Sequence, residues 1–459
     1  MRKTARSSSA TGSAKRPWTG RLLQNAAALT LSTGGTGALG IVFWAAAARL
    51  ASPTAVGDTT AEISAMVLLA NLAQLSLTTI FERFLPIMGD RTGRFVKRAY
   101  AICVVTSLIA AIVYLAAGFG HKYIPSSFGW RALFVVAVIL WTIFVIQDSV
   151  LTALRATRWV PVENILFALA KLALLPAFIL VSASQGIFLA WTVPVVAATG
   201  IISWFAFRKL IPRHERSDER TESPPSTRQL ISLGFAQYAS LLISQLSTSI
   251  VALIVIQRLG AIAEAHYYIP ALIANGGVAV ILWSLVTSFL VESSYSGTKG
   301  LRENANLTIK AVIALLVPSI VIGVAFAPQI LSIFGRTYAA NGTTLFRLLL
   351  LALPGVALTA FFNAMAWLDR RVWWLAGREL LSSAIFFVVL FFLIGRFGIV
   401  SIGIASLVSS GVQGMLLLPI SMRRYRRMRD VDDPRRTDAA DDAELTPPET
   451  PDAPDTHIH

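Results

Sequence analysis

Long apolar runs, separated by short polar segments, recur along the whole chain. A helix that crosses a bilayer needs about 20 mainly apolar residues. Charged residues make up only 14% of the 459 positions, whereas soluble proteins carry roughly 25%. We therefore predict an all-α integral membrane protein. Its twelve predicted transmembrane helices cover residues 22–48, 61–81, 99–119, 132–153, 162–183, 186–206, 231–256, 267–290, 308–327, 345–366, 379–396 and 399–419.

The first two predicted spans recur in the second half of the chain. The first span closes on Arg49-Leu50 and the seventh on Arg258-Leu259, an offset of 209 residues. Ser76-Leu77 of the second span returns as Ser284-Leu285, an offset of 208 residues. Because the offset is nearly constant across two helices, we predict two pseudo-symmetric six-helix bundles in parallel orientation.

The net charge of +15 is distributed unevenly among the predicted loops. With the first span starting inside, only seven of the 40 Lys and Arg residues fall on the outer side: Arg49, Lys122, Arg131, Arg258, Arg336, Arg347 and Arg396. The positive-inside rule therefore predicts a multi-pass protein of the cytoplasmic membrane with both termini in the cytoplasm. Since the basic residues are divided among many short loops, we expect contact with membrane lipids and not with nucleic acid.

Composition divides the chain into five segments. Residues 430–459 hold ten of the 25 acidic residues and several prolines, and such a segment cannot bury apolar surface. The predicted segments are a disordered basic arm (1–21), an N-terminal bundle (22–207), a linker (208–228), a C-terminal bundle (229–425) and a disordered acidic tail (426–459).

Polar side chains recur at helical spacing within three predicted spans, where lipid contact would be costly. Such stripes line a water-filled cavity or form hydrogen bonds between helices. We treat them as candidate substrate-binding residues. They are Asn25, Ser32 and Thr36 in the first span, Asn71, Gln74, Thr78 and Glu82, followed by Arg83, in the second, and Gln237, Ser244 and Thr248 in the seventh.

Three charged residues of the fourth and fifth spans complete the candidate site. Asp148 and Arg155 share a predicted helical face of the fourth span, and Lys171 lies inside the fifth. An isolated charge at this depth needs a partner. Two interpretations stay open: a structural ion pair between Asp148 and Lys171, or a cationic contact for an anionic substrate.

The residues of a catalytic or metal site are missing from the sequence. Cys103 is the single cysteine, and no zinc spacing or nucleophile motif is present. Gly35 to Gly40 matches the dinucleotide pattern G-x-G-x-x-G, but it lies inside an apolar run and not between a strand and a helix. We therefore predict no cofactor and no enzymatic activity, and we assign the glycines to close helix packing.

Several short motifs resemble a known superfamily over roughly residues 20–425. They are Thr33-Gly34-Gly35, Phe43-Trp44, Ala48-Arg49-Leu50, Gly57, Arg83-Phe84-Leu85-Pro86, Leu151 to Arg155 and Val162-Glu163-Asn164. The chain resembles the multidrug, oligosaccharidyl-lipid and polysaccharide exporter (MOP) superfamily, and within it the polysaccharide-biosynthesis branch of O-antigen-type flippases.

This resemblance implies two bundles that face each other in a V around a cavity lined by spans 1, 2, 7 and 8. It implies alternating access that moves a polyprenyl-pyrophosphate-linked oligosaccharide to the outer leaflet, and contact with the polysaccharide polymerase machinery. In that branch basic side chains hold the pyrophosphate or acidic sugars, and Arg83, Arg155 and Lys171 match by position. Spans 1, 7 and 8 contribute no basic residue at mid-depth, which favours a glycan of low charge.

Two other functions remain open at this point. A multidrug and toxin extrusion antiporter would exchange a coupling proton or sodium ion for a cationic drug, with Asp148 as the membrane carboxylate. An enzyme that polymerises or ligates glycans would form product as a purified protein. The charge of the cavity lining discriminates the first two functions, because an acidic lining suits a cationic drug.

Overall fold

A computed structural model describes residues 35–216, 238, 249–368 and 372–431. Within these ranges the chain is built from helices and turns and contains no strand. The first half comprises α1 Gly35–Leu50, α2 Pro53–Ala73, α3 Leu77–Phe84, α4 Thr92–Ala116, α5 Phe128–Ala153, α6 Trp159–Val181, α7 Gly186–Phe205 and α8 Ile211–Glu215. The second half comprises α9 Ser249–Leu259, α10 Ala261–Ala271, α11 Val280–Ala325, α12 Ala327–Ser332, α13 Arg336–Leu368, α14 Val372–Phe397 and α15 Val400–Val431.

Most of these helices have the length and composition of membrane spans. Among the described residues, eight helices pass both criteria, and α2 with α3 forms a ninth span if the bent pair crosses as one. The shorter apolar helices α1 and α9 adjoin residues that the structure does not describe. Each predicted run overlaps a helix, so the all-helical membrane fold is confirmed, while the count of twelve crossings stays a prediction.

The second span begins earlier than the sequence pattern indicates. Ser52 caps α2, since its Oγ accepts a hydrogen bond from the Ala55 backbone N–H (3.2 Å), and Pro53 occupies the first helical position. Gly57 and Asp58, which precede the predicted span at 61–81, therefore lie inside α2. Gly57 belongs there for a packing reason: a Cβ at this position would lie 1.7 Å from the carbonyl oxygen of Ala261 on α10.

The same span is broken near its middle. Leu75 and Ser76 have φ of 49° and 58°, values that side chains other than glycine rarely adopt, and the axes of α2 and α3 differ by 48°. The predicted continuous face from Asn71 to Glu82 is therefore wrong. Residues on either side of the break belong to helices that point in different directions.

The second half departs from the prediction in the opposite way. A π-helical turn, Leu272–Ala279, follows α10, and α11 then continues without interruption for 46 residues. The loop expected between the eighth and ninth spans is thus helical. Between Val280 and Pro318 the chain holds no proline, so polar composition alone does not end the helix. Helix α15 likewise runs to Val431, beyond the predicted start of the tail at 426.

The two halves meet where α1 and α9 end and where α2 and α10 begin, which we call the Arg49 end. Arg49 donates hydrogen bonds to the carbonyl oxygens of Ser332 (2.7 Å) and Ile333 (2.8 Å). Lys122 Nζ donates to the carbonyl oxygen of Gln257 (2.6 Å). Together with the α2–α10 contact, these bonds close the Arg49 end of the molecule.

Candidate functional site

The polar residues of the first half gather toward the end opposite the Arg49 end, where α3 and α5 finish and α6 begins. Ser149 Oγ on α5 donates a hydrogen bond to Glu82 Oε1 on α3 (3.1 Å). Glu82 and the adjacent Arg83 are both exposed, and the Arg83 guanidinium lies 5.5 Å from the centroid of the Phe84 ring. A carboxylate and a guanidinium are therefore both available at this surface.

The side chain of Asp148 on α5 forms a hydrogen bond with α6. Asn164 Nδ2 donates to Asp148 Oδ2 (3.4 Å) and to the carbonyl oxygen of Val160 (3.0 Å). The other carboxylate oxygen, Oδ1, is buried and has no hydrogen-bond partner among the described residues. Glu163 on α6 is 4% exposed, lies near Asp148, and likewise lacks a described partner for both of its oxygens. The structure thus pairs two acidic side chains where the sequence had singled out one.

Lys171 forms no ion pair with any described carboxylate, so of the two open interpretations the ion pair with Asp148 is not the one the structure shows. Its Nζ instead lies 3.7 Å from the ring centroid of Trp191, 4.9 Å from Phe43 and 5.1 Å from Phe167. The residue is only 5% exposed. Aromatic faces attract a cation through their quadrupole, which explains how this ammonium group is buried without a counter-ion.

The stripe of the second span is divided by the break. Asn71 and Gln74 are buried at the end of α2, where Gln74 Nε2 donates to Asn71 Oδ1 (3.1 Å). Thr78 is half-buried on α3. One hydrogen bond thus joins the two amides at the bend, Gln74 Oε1 stays buried without a described partner, and Glu82 alone of the four reaches the exposed surface.

Arg155 does not lie on the helical face of Asp148, contrary to prediction. Helix α5 ends at Ala153, and Arg155 follows in a left-handed turn with φ of 58°. Its side chain is exposed next to Thr152, which is also exposed. The turn places the guanidinium at the end of the bundle, at the same end as Arg83.

The remaining candidate residues lie on α1 or outside the described ranges. Thr36 is half-buried on α1. A Cβ at the neighbouring Gly37 would meet the carbonyl oxygen of Gly276 at 3.7 Å, an ordinary contact, and one at Gly35 or Gly40 would meet no atom within 4 Å, so the close packing assigned to these glycines is not seen among the described residues. Five candidates fall outside the described residues: Asn25, Ser32, Gln237, Ser244 and Thr248. Convergence of both halves on one chamber therefore stays a prediction.

Sequence reasoning missed two buried carboxylates outside this cluster. Glu62 on α2 and Glu264 on α10 are fully buried, and none of their four oxygens has a hydrogen-bond partner among the described residues. The sequence did contain a signal for these two sites, since each is an acidic residue within an apolar helix. It was overlooked because neither residue belongs to a polar stripe.

The arrangement of helices is that of a known class of transporters. It is similar to an inward-facing multidrug resistance MATE family transporter of the MOP superfamily, with a TM-score of 0.60 and 13% identity over 84% of this chain and 96% of that one. It is also similar to a MOP superfamily transporter from Pyrococcus furiosus with a binding pocket of reversed polarity, with a TM-score of 0.58 and 12% identity over 88% and 96% of the chains. The structure therefore has the fold of these MOP superfamily transporters.

Sequence comparison then narrows the class to a family. The profile of the polysaccharide biosynthesis protein family matches residues 22–286, which is more than half of the chain. The chain belongs to this family. No curated protein matches it.

Proposed function

We propose that the protein is a flippase that moves a polyprenyl-pyrophosphate-linked oligosaccharide across the cytoplasmic membrane for cell-surface polysaccharide synthesis. The observation that carries this proposal is the match to the polysaccharide biosynthesis family, joined to a MOP transporter fold. A lipid-linked sugar needs such a protein because its headgroup is too polar to cross hydrocarbon, whereas its tail is already soluble there.

The polar end of the first half supplies groups suited to that headgroup. Arg83 and Arg155 are exposed and can approach a pyrophosphate, while Glu82, Ser149 and Asn164 can hydrogen-bond sugar hydroxyls. Lys171 lies behind aromatic rings, so we assign it to packing and not to direct contact with the substrate.

We further propose that the Arg49 end faces the outside. The excess of Lys and Arg in the opposite loops supports this orientation. With the Arg49 end closed, the transporter is then in an inward-facing state, ready to take a substrate from the cytoplasmic leaflet.

Reconstituted protein provides the direct test of flippase activity. Proteoliposomes would contain a fluorescent polyprenyl-pyrophosphate glycan, and a membrane-impermeant reductant would quench the label in the outer leaflet. We expect the protein to make the protected inner pool accessible, and Arg83→Gln with Arg155→Gln to slow that exchange at least tenfold. Lys310→Gln, which removes a cation remote from these residues, is the matched control. Equal exchange in protein-free vesicles would refute the proposal.

A drug or cation antiporter is the second candidate, and the acidic pair Asp148 and Glu163 favours it. A membrane carboxylate that exchanges a proton or sodium ion for a cation is what such an antiporter needs. Asp148→Asn would then lower drug resistance and leave surface polysaccharide intact. Loss of polysaccharide with unchanged drug resistance would instead support the flippase.

A further inference from the structure

Glu62 and Glu264 lie on α2 and α10, the helices through which the two halves pack against each other at the Arg49 end. One carboxyl group comes from each half. Both residues are 0% exposed, and none of their oxygens has a hydrogen-bond partner of standard geometry among the described residues. The Thr60 hydroxyl lies within reach of Glu264 and also donates to the carbonyl oxygen of Gly57 (2.9 Å).

The contact between these helices is tight. A single Cβ added at Gly57 would overlap the backbone of Ala261, so α2 and α10 touch main chain to main chain. A carboxylate buried in such a contact has exchanged water for apolar atoms and cannot recover the lost hydration.

The two carboxyl groups lie within electrostatic reach of one phenol. Tyr123, in the loop between α4 and α5, contacts Tyr114 through its hydroxyl. The pKa of Tyr123 is raised above its ordinary value. The largest cause is burial, followed by Tyr114 and then by the carboxylates of Glu62 and Glu264. Both acids therefore act on the same small region at the Arg49 end.

No described cation compensates them. The two nearby basic side chains, Arg49 and Lys122, donate to backbone carbonyl oxygens across the same end. The core residues that α5 and α7 contribute, such as Phe134 and Phe188, are apolar. The other titratable groups are Asp58 on α2, Tyr114 on α4, Tyr123 in the adjoining loop, His266, Tyr267 and Tyr268 on α10, and Tyr338 on α13. Asp58 lies one turn before Glu62 and repels a charge there.

We propose that Glu62 and Glu264 are a proton-operated latch that holds the two halves together at the Arg49 end. With both carboxyl groups neutral, α2 and α10 pack closely. When each O–H bond breaks and its proton passes to water, two carboxylates remain in a dry contact that cannot hold them, so the halves separate and hydrate them. Protons thus favour closure, and their loss favours opening.

The inference rests on the proposed alternating access, and it adds the proton as the ion that biases it. The sign follows from the structure: a lower pH on the side of the Arg49 end drives closure there. Each proton released on opening changes the ratio of closed to open molecules by about tenfold per pH unit. With two latch groups, the ratio of closed to open molecules therefore changes by as much as about 100-fold per pH unit in the pH range where both groups titrate.

A distance measurement on the full chain tests the latch. In a Cys103→Ser background, spin labels at Arg131→Cys and Arg336→Cys place one exposed probe on each half at the Arg49 end. Double electron–electron resonance in lipid nanodiscs would give the closed fraction from pH 5 to 9 without substrate. We expect the closed fraction to fall steeply as pH rises, and to stay constant in Glu62→Gln with Glu264→Gln.

Single substitutions and a matched control make the result decisive. Glu62→Gln or Glu264→Gln alone should halve the slope of log(closed/open) against pH. Glu215→Gln, whose oxygen can still accept from the Gly93 N–H (2.8 Å), should keep the wild-type slope. A pH response that persists in the double variant overturns the latch, as does a closed fraction of the wild type that does not change with pH. A response to sodium at constant pH that the double variant loses overturns the assignment to protons.

These outcomes are separate from those of the flippase assay. Spin-label distances report closure whether or not a glycolipid is moved. A pH-dependent distance in a protein that flips nothing would keep the latch and reject the proposed substrate. Monodisperse elution of each variant on size exclusion confirms that it is folded, since Gln keeps the volume of Glu.

Discussion

The two halves of this transporter bury a cation in two different ways. Lys171 on α6 and Arg378 on α14 are 207 positions apart, close to the offset of 208 to 209 that relates the two halves. Lys171 is enclosed by aromatic rings, with Trp191 3.7 Å away. Arg378 Nη1 instead donates to Gln413 Oε1 (2.6 Å), and Nη2 forms an ion pair with Glu379 Oε2 (2.5 Å). The two halves thus surround these basic residues in different ways.

The difference shows what each cation is able to do. Lys171 lies in an apolar core, enclosed by aromatic rings and without access to a ligand. Arg378 borders a cavity of about 440 Å³ whose other walls are mainly apolar, including Phe362, Leu381 and Leu416. The guanidinium keeps directional partners, whereas the ammonium group is held by ring faces that require no fixed geometry.

The largest effect is expected where the halves meet. Gly57→Leu places a side chain where a Cβ already lies 1.7 Å from the Ala261 carbonyl oxygen. Overpacking typically costs about 1–3 kcal/mol in a core and occasionally more. Here the added side chain meets backbone atoms that cannot move aside, so we expect the closed population to be lost entirely and transport with it. The spin-label distance at the Arg49 end measures the change. Gly200→Ala, with no atom within 4 Å of its added Cβ, should behave as wild type; a closed Gly57→Leu protein would disprove the contact.

Removing the aromatic enclosure should have the next largest effect. Trp191→Ala deletes the ring nearest Lys171 and leaves a cavity among Phe43, Trp44 and Trp141. A truncation of this kind costs about 3–5 kcal/mol. Thermal unfolding in detergent, followed by tryptophan-independent light scattering, gives the loss. Trp204→Ala, an exposed tryptophan at the surface of α7, is the control and should change stability far less.

Neutral substitution of the two cations sharpens the comparison directly. Arg378→Met leaves the buried Gln413 Oε1 without its donor, and an unpaired buried acceptor costs about 1–3 kcal/mol. The Glu379 carboxylate also loses its ion pair but is partly exposed to solvent. Lys171→Met strands no hydrogen-bonding group and keeps the side-chain volume, so a cost below about 1.5 kcal/mol is expected. The difference between the two thermal midpoints is the measurement. Equal losses would show that Lys171 has a polar partner beyond those described.

The smallest effects are expected at Ser76 and Ser284, the two serines related by the offset of 208 residues. Ser76 has φ of 58°, so Ser76→Gly should stabilise the bend by up to about 1 kcal/mol. Ser284 lies inside α11, so Ser284→Gly should destabilise by about 1 kcal/mol. Opposite shifts of thermal midpoint, measured side by side, would confirm that the repeat adopts two backbone conformations; shifts of the same sign would contradict it.

The fold was largely predictable because hydropathy and length decide whether a helix can lie in a bilayer. The break at Leu75 and Ser76 was not predictable, since neither residue is Gly or Pro. Packing by the surrounding helices offsets the strain of their backbone conformation. The continuity of α11 was missed for the converse reason, because polar residues were taken for a loop although nothing in the segment stops a helix.

The sequence named candidate residues but did not fix which of them meet. An Asp148–Lys171 pair was one of two open interpretations, and Asp148 instead lies against Asn164 and near Glu163. Helical periodicity orders residues on one helix and carries no information about which neighbouring helix faces them.

The sequence by itself determined that this chain is a duplicated helical membrane protein of the polysaccharide biosynthesis family, because apolar run length and short motifs are local properties. Only the tertiary structure decided which charges are buried together. Glu62 and Glu264 are 202 positions apart in the chain, and their shared burial arises from the close approach that Gly57 allows. A buried charge derives its function from its neighbours, and those are chosen by packing between helices.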